Sequence, residues 1–408
     1  MDKQKSYFKN IVILFKGSSI SQLLPILASP LLTNIYSPEE FGSYSKFISF
    51  IMILVPLGTL KYDQALFLPK GRKGLNSLFG LILIILFVVT ATLSFILCIN
   101  YFLGFYKIDY WIFVPIVFLA INLNNIIEQI SVRFSEFKRT SISISIRSTL
   151  NVTLQLGLGL LNFSVIGFIL ANLIGAFGSF IFLLKSAYKN IHFKSLFSFK
   201  NLKADFKKYV RFPIYILPSE IFASISTNFL PILLASKFSL QDIGYFYLTT
   251  KIVGLPTTVL GRSISQVFYS KISENYRLNK KHYNSKLLKE TLLKISLILF
   301  PMLVLSYFLV DLIVTTFFGY EWITTATFFK ILAPFYFIKL ISSSFSSVLI
   351  IYKKQRLELL INILLFILTF SSFILSNNID SFLYIYSTTL SVVYVSLLIF
   401  YFKTLNSD

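Results

Sequence analysis

The sequence is poor in the residues on which most catalytic and metal sites depend. It contains one cysteine, Cys98, so no intramolecular disulfide can form; the residue lies in an apolar run, where we expect it to pack as a small hydrophobic group. The two histidines, His192 and His282, stand far apart without further ligands nearby, which argues against a metal site. We therefore expect neither a metal centre nor an enzyme.

Acidic residues are also scarce. The chain has 17 Asp and Glu against 38 Lys and Arg, a formal net charge of +21, and 55% of its residues are hydrophobic. The mean hydropathy is +0.75, and ordinary soluble domains contain only about 45–50% apolar residues. Because the basic residues fall in short segments between apolar runs, the excess charge indicates membrane topology rather than nucleic-acid binding.

Apolar stretches of about 20 residues, enough to cross a hydrocarbon core of about 30 Å, recur along the whole chain. They predict an all-α integral membrane protein with about twelve transmembrane helices. Lys3, Lys5 and Lys9 resemble the start of a signal peptide, but the apolar pattern continues to Ile35 without a small-residue cleavage site, so we expect a retained first helix. The predicted spans are 11–34, 41–62, 78–103, 111–131, 142–161, 164–184, 209–236, 243–268, 292–318, 328–350, 359–376 and 382–402.

Basic residues alternate strongly between successive predicted loops. About 26 of them fall on one side of the membrane and about three, Lys107, Lys237 and Lys330, on the other. Cytoplasmic loops of membrane proteins carry the excess of Lys and Arg. The pattern therefore predicts a multi-pass protein with both termini in the cytoplasm.

The basic segment 185–208 separates two groups of six predicted helices that share a local signature. Residues 36–44 (YSPEEFGSY) follow the first helix of one group and residues 238–246 (FSLQDIGYF) follow the first helix of the other, with Pro56 and Pro256 at nearly the same distance beyond. Transporters often place their substrate at the interface of such repeats. The predicted domains are an N-terminal six-helix bundle at 1–184, a cytoplasmic linker at 185–208 and a C-terminal six-helix bundle at 209–408.

Five basic residues lie within predicted spans and away from the helix ends. A charge at the centre of a spanning helix costs about 2.5–3.5 kcal/mol on insertion scales, so we expect these side chains to face water or partners rather than lipid. They are candidates for binding substrate in a cationic central cavity. The five residues are Lys46, Arg147, Lys251, Arg262 and Lys339.

One predicted helix, 243–268, carries a polar stripe on an otherwise apolar surface. Lys251, Thr258, Arg262 and Ser265 recur at helical spacing on one face. Arginine and lysine bind phosphate, and amide and hydroxyl groups bind sugars. A cavity with surplus positive charge would therefore suit an anionic, hydroxyl-rich substrate.

Acidic residues at similar depth are fewer. Asp63, Glu128 and Glu220 are candidates for ion coupling or for ion pairs. For Glu220 the sequence leaves both roles open, either a structural pair, for example with Lys251 or Lys339, or a titrating site. Cations nearer the helix ends are expected to extend towards lipid headgroups. These are Lys16, Lys61, Arg211 and Lys294.

Four short blocks occur in order at the predicted helices. They are PLLT with FG in residues 30–42, KYDQA with LP in 61–69, G with LP and SQVF in 244–268, and FGYEW with LAP in 318–334. Together they resemble the Wzx-type oligosaccharide flippases, which belong to the superfamily that also contains the MATE drug exporters. The resemblance spans nearly the whole chain and implies a MATE-like fold of two pseudo-symmetric six-helix bundles.

The resemblance also implies a function. Such a protein would move undecaprenyl-diphosphate-linked oligosaccharide repeat units, as for O-antigen or capsule, from the cytoplasmic to the outer leaflet of the bacterial plasma (inner) membrane by alternating access. It would need no cofactor beyond coupling to an H⁺ or Na⁺ gradient. Its partners would be the lipid-linked substrate, membrane lipid, a polysaccharide polymerase and a chain-length regulator. Asp63 stands where the family often has Glu, and Lys251 where it often has Arg, which alone offers two parallel bonds to phosphate.

Two other functions are alternatives. A MATE-like exporter of drugs or cations would favour an acidic cavity, whereas basic residues outnumber acidic ones inside the predicted spans. A membrane polysaccharide polymerase would usually need a large outer loop or a cluster of acids or metal ligands. The predicted outer loops are short, so the sequence favours the flippase.

Overall fold

The structure is a computed structural model that describes residues 21, 23–69, 71–104, 109–191, 199–277, 282–352 and 354–406. Within these ranges every regular element is a helix and no β-strand occurs. The side chains of some helical residues, including Arg262, lie outside the described part. The predicted all-α fold class is confirmed.

The helices follow one another with mostly short connections. The first eight are α1 (Ser29–Thr33), α2 (Pro38–Leu54), α3 (Arg72–Leu103), α4 (Phe113–Arg133), α5 (Phe137–Leu160), α6 (Ser164–Asn190), α7 (Phe199–Lys208) and α8 (Leu217–Ala235). They are followed by α9 (Leu240–Arg277), α10 (His282–Ile313), α11 (Ile323–Ser344), α12 (Ser347–Ile351), α13 (Gln355–Leu375) and α14 (Ile379–Asn406).

Every predicted span from residue 41 onward coincides with a helix whose ends differ from the prediction by several residues. The first part of the span predicted at 11–34 lies outside the described residues, and its described end is helical at 23–27 and in α1. Eight helical segments of the described chain are long and apolar enough to cross a membrane. The total of about twelve spans stays a prediction.

Polarity, not length, separates two helices from those eight. α5 has 24 residues and α9 has 38, yet neither reaches the hydropathy of the others. α5 carries Arg147 with several hydroxyl side chains, and α9 carries Lys251 and Arg262. Two of the helices that contain candidate site residues are therefore more polar than the other long helices.

Large apolar side chains cover the outer surfaces of α3 and α10. Phe102 is 78% exposed and Phe308 is 74% exposed, and many Leu and Ile side chains around them are similarly uncovered. In water such an apolar surface would be unfavourable, because it would be hydrated. In a lipid bilayer the same side chains contact acyl chains and carry no such cost. The described chain is accordingly a multi-pass membrane protein.

Two compact units make up the chain, residues 1–236 and 237–408. Helix α8 belongs to the N-terminal unit, where it packs against α2. The segment 185–208, predicted to be a linker, also lies within that unit. The predicted bundles at 1–184 and 209–408 were defined by a sequence repeat, whereas the two units are defined by packing. The boundaries of a repeat and of a packing unit need not coincide, so the predicted bundles stay a prediction.

The two related turns of the halves fold in the same way. The Ser37 hydroxyl accepts the N–H of Glu40 at 3.3 Å, and the Glu40 carboxylate accepts the N–H of Ser37 at 2.8 Å. Ser239 and Asp242 repeat this exchange at 3.1 and 3.3 Å. Both are capping boxes, which satisfy backbone donors at the start of a helix. The two segments that share a sequence signature therefore form the same local structure at the starts of α2 and α9.

Aromatic packing holds the first of these turns against α6. The Tyr36 hydroxyl donates to the backbone oxygen of Gln155 at 2.7 Å, and its ring lies 4.1 Å from that of Phe168. Burial, followed by the nearby Glu40 carboxylate, raises the pKa of Tyr36 to about 12. The hydroxyl thus keeps the proton that it donates throughout the physiological range.

In the C-terminal unit, α9 packs along α11, and α11 packs along α14. The Thr249 hydroxyl donates to the backbone oxygen of Thr325 at 3.3 Å. Further along the same two helices, a Cβ added at Gly254 would lie 3.8 Å from the ring of Tyr336. Both helices therefore run in the same direction and stay close over several turns.

Candidate functional site

Lys46 projects from α2 towards the connection before α4. Its Nζ lies 3.1 Å from the Asp109 carboxylate, and the pair forms one wall of a cavity of about 180 Å³. Lys46 was predicted to bind substrate, and the structure supplies it with a protein carboxylate instead. The remaining walls are mostly apolar and consist of Ser43, Phe47, Phe50, Val114 and Ile232.

Arg147 lies on α5 among three other helices of the N-terminal unit. It interacts electrostatically with Glu128 of α4 and with the Tyr44 hydroxyl of α2. Asn172 of α6 donates to that hydroxyl at 3.1 Å. At Gly175 a Cβ would lie 3.0 Å from the backbone oxygen of Arg147, so only a very small residue lets α6 approach here. The structure brings the two predicted residues Arg147 and Glu128 together.

Glu220 has an ion-pair partner within its own unit. The Nζ of Lys61 lies 3.5 Å from its carboxylate, and Gln64 Nε2 donates to it at 3.3 Å. Lys61 was expected to extend towards lipid headgroups, and that expectation is wrong, because its side chain is only 15% exposed. The partners suggested for Glu220, Lys251 and Lys339, belong to the C-terminal unit.

A sharp bend after α2 places Lys61 in this position. Leu60 and Lys61 have φ of 46° and 62°, a left-handed conformation that non-glycine residues adopt at a cost of about 1–2 kcal/mol. The Thr59 hydroxyl donates to the buried Asp63 carboxylate and accepts the N–H of Lys61 at 3.2 Å. Asp63, predicted as a coupling or ion-pair residue, thus contacts a hydroxyl that holds the bend.

The start of α8 combines several breaks in regular helix geometry. A π-helical segment, Phe212–Ile216, precedes it, Pro218 lies in its first turn and Pro231 lies inside it. Proline removes a backbone donor and disturbs the preceding turn. Ser224 donates to the backbone oxygen of Met52 at 2.7 Å, which joins α8 to α2.

Lys251 and Lys339 in the C-terminal unit have a different environment. The Nζ of Lys251 lies 5.6 Å from the ring centre of Tyr247, and the Nζ of Lys339 lies 5.3 Å from that of Tyr336 and 5.7 Å from that of Phe335. Among the described residues, no carboxylate lies within 4.0 Å of either ammonium group. Both cations rest on aromatic faces, a contact worth about 0.5–2 kcal/mol.

The two lysines lie within one helical turn of the same contact. Lys251 precedes Gly254 by three residues on α9, and Lys339 follows Tyr336 by three residues on α11, so each shares a face with its neighbour. Gly254 and Tyr336 meet between the helices. The structure therefore brings these predicted residues to one region, while the side chain of Arg262 lies outside the described part.

Tyrosines from α14 extend this region. Phe335 is almost fully buried, and its ring lies 5.4 Å from that of Tyr386 and 6.0 Å from that of Tyr394. Tyr336 interacts electrostatically with both of these tyrosines. Phenol groups offer both a donor and an acceptor to hydroxylated ligands. Tyr336, Tyr386 and Tyr394 come from two helices that are distant in the sequence, and tertiary packing brings them together.

Two of the three cations assigned to the sparse side have structural partners. Lys237 donates to the backbone oxygens of Phe373, at 3.1 Å, and Ser376 at the end of α13. Lys330 pairs with Asp311 of α10. Lys107 lies outside the described residues. Lys237 therefore caps the end of α13, and Lys330 joins α11 to α10.

The chain resembles a known protein family in sequence and several solved structures in fold. Residues 31–327 match the family described as polysaccharide biosynthesis protein. A comparison with curated proteins gave no match.

Several solved structures share the fold at low sequence identity. The lipid II flippase MurJ in an inward closed conformation aligns with a TM-score of 0.76 and 16% identity, over 95% of this chain and 87% of that one. An inward-facing multidrug resistance MATE family transporter of the MOP superfamily gives 0.71 and 14%, over 95% of both chains. A MOP superfamily transporter from Pyrococcus furiosus gives 0.59 and 13%, over 98% and 96%.

The fold is thus the one that these solved transporter and flippase structures share. The family match covers most of the sequence, and the chain belongs to the polysaccharide biosynthesis protein family. The predicted family resemblance and the MATE-like fold are confirmed.

Proposed function

We propose that the protein is a flippase that moves undecaprenyl-diphosphate-linked oligosaccharide repeat units from the cytoplasmic to the outer leaflet of a bacterial plasma membrane. The observation that carries this proposal is the pair Lys251 and Lys339. Each is a cation inside a membrane helix, rests on aromatic rings and has no carboxylate partner among the described residues. In a member of a polysaccharide biosynthesis family, such cations fit the diphosphate of a lipid-linked sugar.

The physical reason is the cost of leaving these charges unpaired. A charged group in a membrane interior is expensive unless it meets water or an opposite charge. A diphosphate supplies about two negative charges and several acceptor oxygens, and lysine binds it as a point charge with three donors. The nearby phenols of Tyr336, Tyr386 and Tyr394 would hydrogen-bond sugar hydroxyls.

The other predicted cations have structural roles in this proposal. Lys46 pairs with Asp109, and its charge is free for an anion only if that carboxylate withdraws. Arg147 is attracted electrostatically to Glu128, although among the described residues no carboxylate lies within 4.0 Å of it. Arg262 stays a candidate for substrate binding because it follows Lys251 by three turns on α9.

Energy coupling follows from the charge of the substrate. With the inside negative, moving about two negative charges outward is favoured by about 4–5 kcal/mol per 100 mV. The proposal therefore needs no obligatory H⁺ or Na⁺ gradient. Glu220 stays a candidate for ion coupling, which the charge of the substrate does not require. A polymerase and a chain-length regulator would take the product on the outer side.

The test is translocation of a fluorescent polyprenyl-diphosphate oligosaccharide by the purified protein in vesicles. Lys251→Gln and Lys339→Gln should each slow transport by about tenfold to a hundredfold, the effect of losing a charged hydrogen bond. Lys286→Gln, a change at an exposed lysine of α10, should leave transport unchanged. Absence of transport by the unmodified protein, together with export of a cationic dye, would replace the flippase by a drug exporter.

A further inference from the structure

Helix α7 has a surface that the proposed function does not use. Its sequence, FKNLKADFKK, places Leu202 and Phe206 on one side, Lys203 and Lys207 on the neighbouring side, and Lys208 about 160° from Phe206 at 100° per residue. Leu202 is 9% exposed, whereas Phe206 is 46% exposed. Lys203, Lys207 and Lys208 are all exposed. The helix therefore has one buried anchor and one uncovered aromatic side chain with lysines beside it.

The rest of the N-terminal unit holds α7 firmly. The Tyr62 hydroxyl donates to the backbone oxygen of Phe206 at 3.1 Å, and the two rings stack with centres 5.8 Å apart. Tyr62 is fully buried, and α7 also packs against α3. A helix of ten residues would be marginal alone, so these contacts fix its position and its exposed face.

The position of α7 along the chain places it at a membrane surface. It ends at Lys208, four residues before the apolar segment that begins at Phe212, and it packs against the spanning helix α3. Its own sequence is too polar to enter a hydrocarbon core. Short helices with an apolar edge and a lysine-rich edge lie in the plane of the membrane interface.

The lysines of α7 are free to bind an external anion. Among the described residues, no carboxylate lies within 4.0 Å of Lys203, Lys207 or Lys208. The acid of the same helix, Asp205, lies about 160° from both Lys203 and Lys207 around the helix axis, but only about 60° from Lys208. The exposed face therefore carries uncompensated positive charge next to the aromatic ring of Phe206.

We propose that this face of α7 binds the headgroups of anionic phospholipids, with Lys203 and Lys207 at the phosphates and Phe206 among the upper acyl carbons, while Lys208 on the opposite edge adds to the local positive charge. Charge complementarity decides the occupant, since the anionic lipid of the adjacent leaflet meets this surface at high local concentration. Each lysine near a charged membrane surface favours binding by a factor of about five. The site is separate from Lys251 and Lys339 and does not depend on the transported substrate.

The test uses a fluorescent reporter in the full-length protein. Phe206→Trp is introduced, and quenching is compared in phosphatidylcholine vesicles that contain a small fraction of brominated phosphatidylglycerol or of brominated phosphatidylcholine. Quenching of the native Trp111 and Trp322 is measured without the reporter and subtracted. We expect brominated phosphatidylglycerol to quench at least about twofold more, and high salt to reduce the difference.

The matched variants separate this site from general basic charge. Lys203→Gln, Lys207→Gln and Lys208→Gln together should bring the two brominated lipids to nearly equal quenching. The control changes three exposed lysines elsewhere, Lys271, Lys286 and Lys289, to Gln and should keep the preference.

Equal quenching by both lipids in the reporter protein would overturn the proposal. Quenching by neither lipid would also overturn it, since α7 would then lie away from the bilayer and face a soluble partner. If Phe206→Trp fails to fold, the phosphatidylglycerol that co-purifies with the native protein and with the two triple variants is counted instead. Equal amounts in all three proteins would contradict the site.

Discussion

The two units treat their membrane-embedded cations differently. In the N-terminal unit, Lys46 and Lys61 each meet a carboxylate, at 3.1 and 3.5 Å, and Arg147 lies near Glu128. In the C-terminal unit, Lys251 and Lys339 rest on aromatic rings, without a carboxylate within 4.0 Å among the described residues.

This difference separates charges that serve the fold from charges available to a ligand. A cation that already has a carboxylate gains little from a substrate anion, because binding must first break the existing pair. A cation that rests only on an aromatic face keeps its donors free. The two halves share capping boxes at Ser37 and Ser239, so their backbones are alike at these turns. Their buried lysines have different partners, so the similarity does not include these charged side chains.

The largest expected effect comes from removing both free cations at once. Lys251→Gln with Lys339→Gln should reduce transport of a polyprenyl-diphosphate sugar by more than about a hundredfold, since two charged hydrogen-bonding groups are lost. Lys46→Gln with Asp109→Asn removes one cation and its partner together and should keep transport within about threefold. Initial rates in vesicles at matched protein content measure both.

The reverse result would break the comparison. If the neutralised Lys46 and Asp109 pair abolishes transport while the lysine double variant still transports, the functional cations lie in the N-terminal unit. Circular dichroism and gel filtration of each variant would show whether a loss of transport reflects a loss of fold.

The second prediction concerns the electrostatic attraction between Arg147 and Glu128. Glu128→Gln should lower the free energy of unfolding by about 1–2 kcal/mol, between the values for exposed and buried pairs, because the attraction acts without an ion pair within 4.0 Å. Glu128→Gln with Arg147→Gln should recover most of the loss, because no unpaired charge then remains. Chemical denaturation in detergent micelles measures the difference. Additive losses in the double variant would show that the two side chains do not interact.

The third prediction tests the pair at the bend after α2. Because Glu220 is 42% exposed and Lys61 only 15%, the pair should contribute about 1–2 kcal/mol, between exposed and buried pairs. A double-mutant cycle with Lys61→Gln and Glu220→Gln gives this coupling energy directly. Transport that is unchanged in Glu220→Gln at several external pH values would exclude a proton-coupling role for Glu220.

The sequence predicted the helices well, because long apolar stretches and capping signals are local. It also located Arg147 and Glu128 and the lysines of α9 and α11, since a charge within an apolar helix is conspicuous. The partners could not be predicted in the same way. Asp109 lies in a loop between spans, where a carboxylate is unremarkable until packing brings it to Lys46.

Lys61 shows that the position of a residue along a predicted helix does not suffice to predict the environment of its side chain. It stands near the end of a predicted span, where a lysine ordinarily extends to the headgroups. The chain instead turns through two left-handed residues, Leu60 and Lys61, and directs the side chain towards α8. Nothing in the local sequence marks this bend except Thr59 and Asp63, whose hydrogen bond depends on the bend itself.

The smallest expected effect tests the common backbone of the two halves. Ser37→Ala and Ser239→Ala each remove a capping hydroxyl and should each lower the free energy of unfolding by about 1 kcal/mol, whereas Thr at either position should keep most of the stability. Thermal unfolding in detergent measures the two losses side by side. Equal losses of stability would support two halves that have the same backbone structure at these turns and differ in their charged residues. A loss of stability confined to Ser37→Ala would show that the turns also differ between the two units.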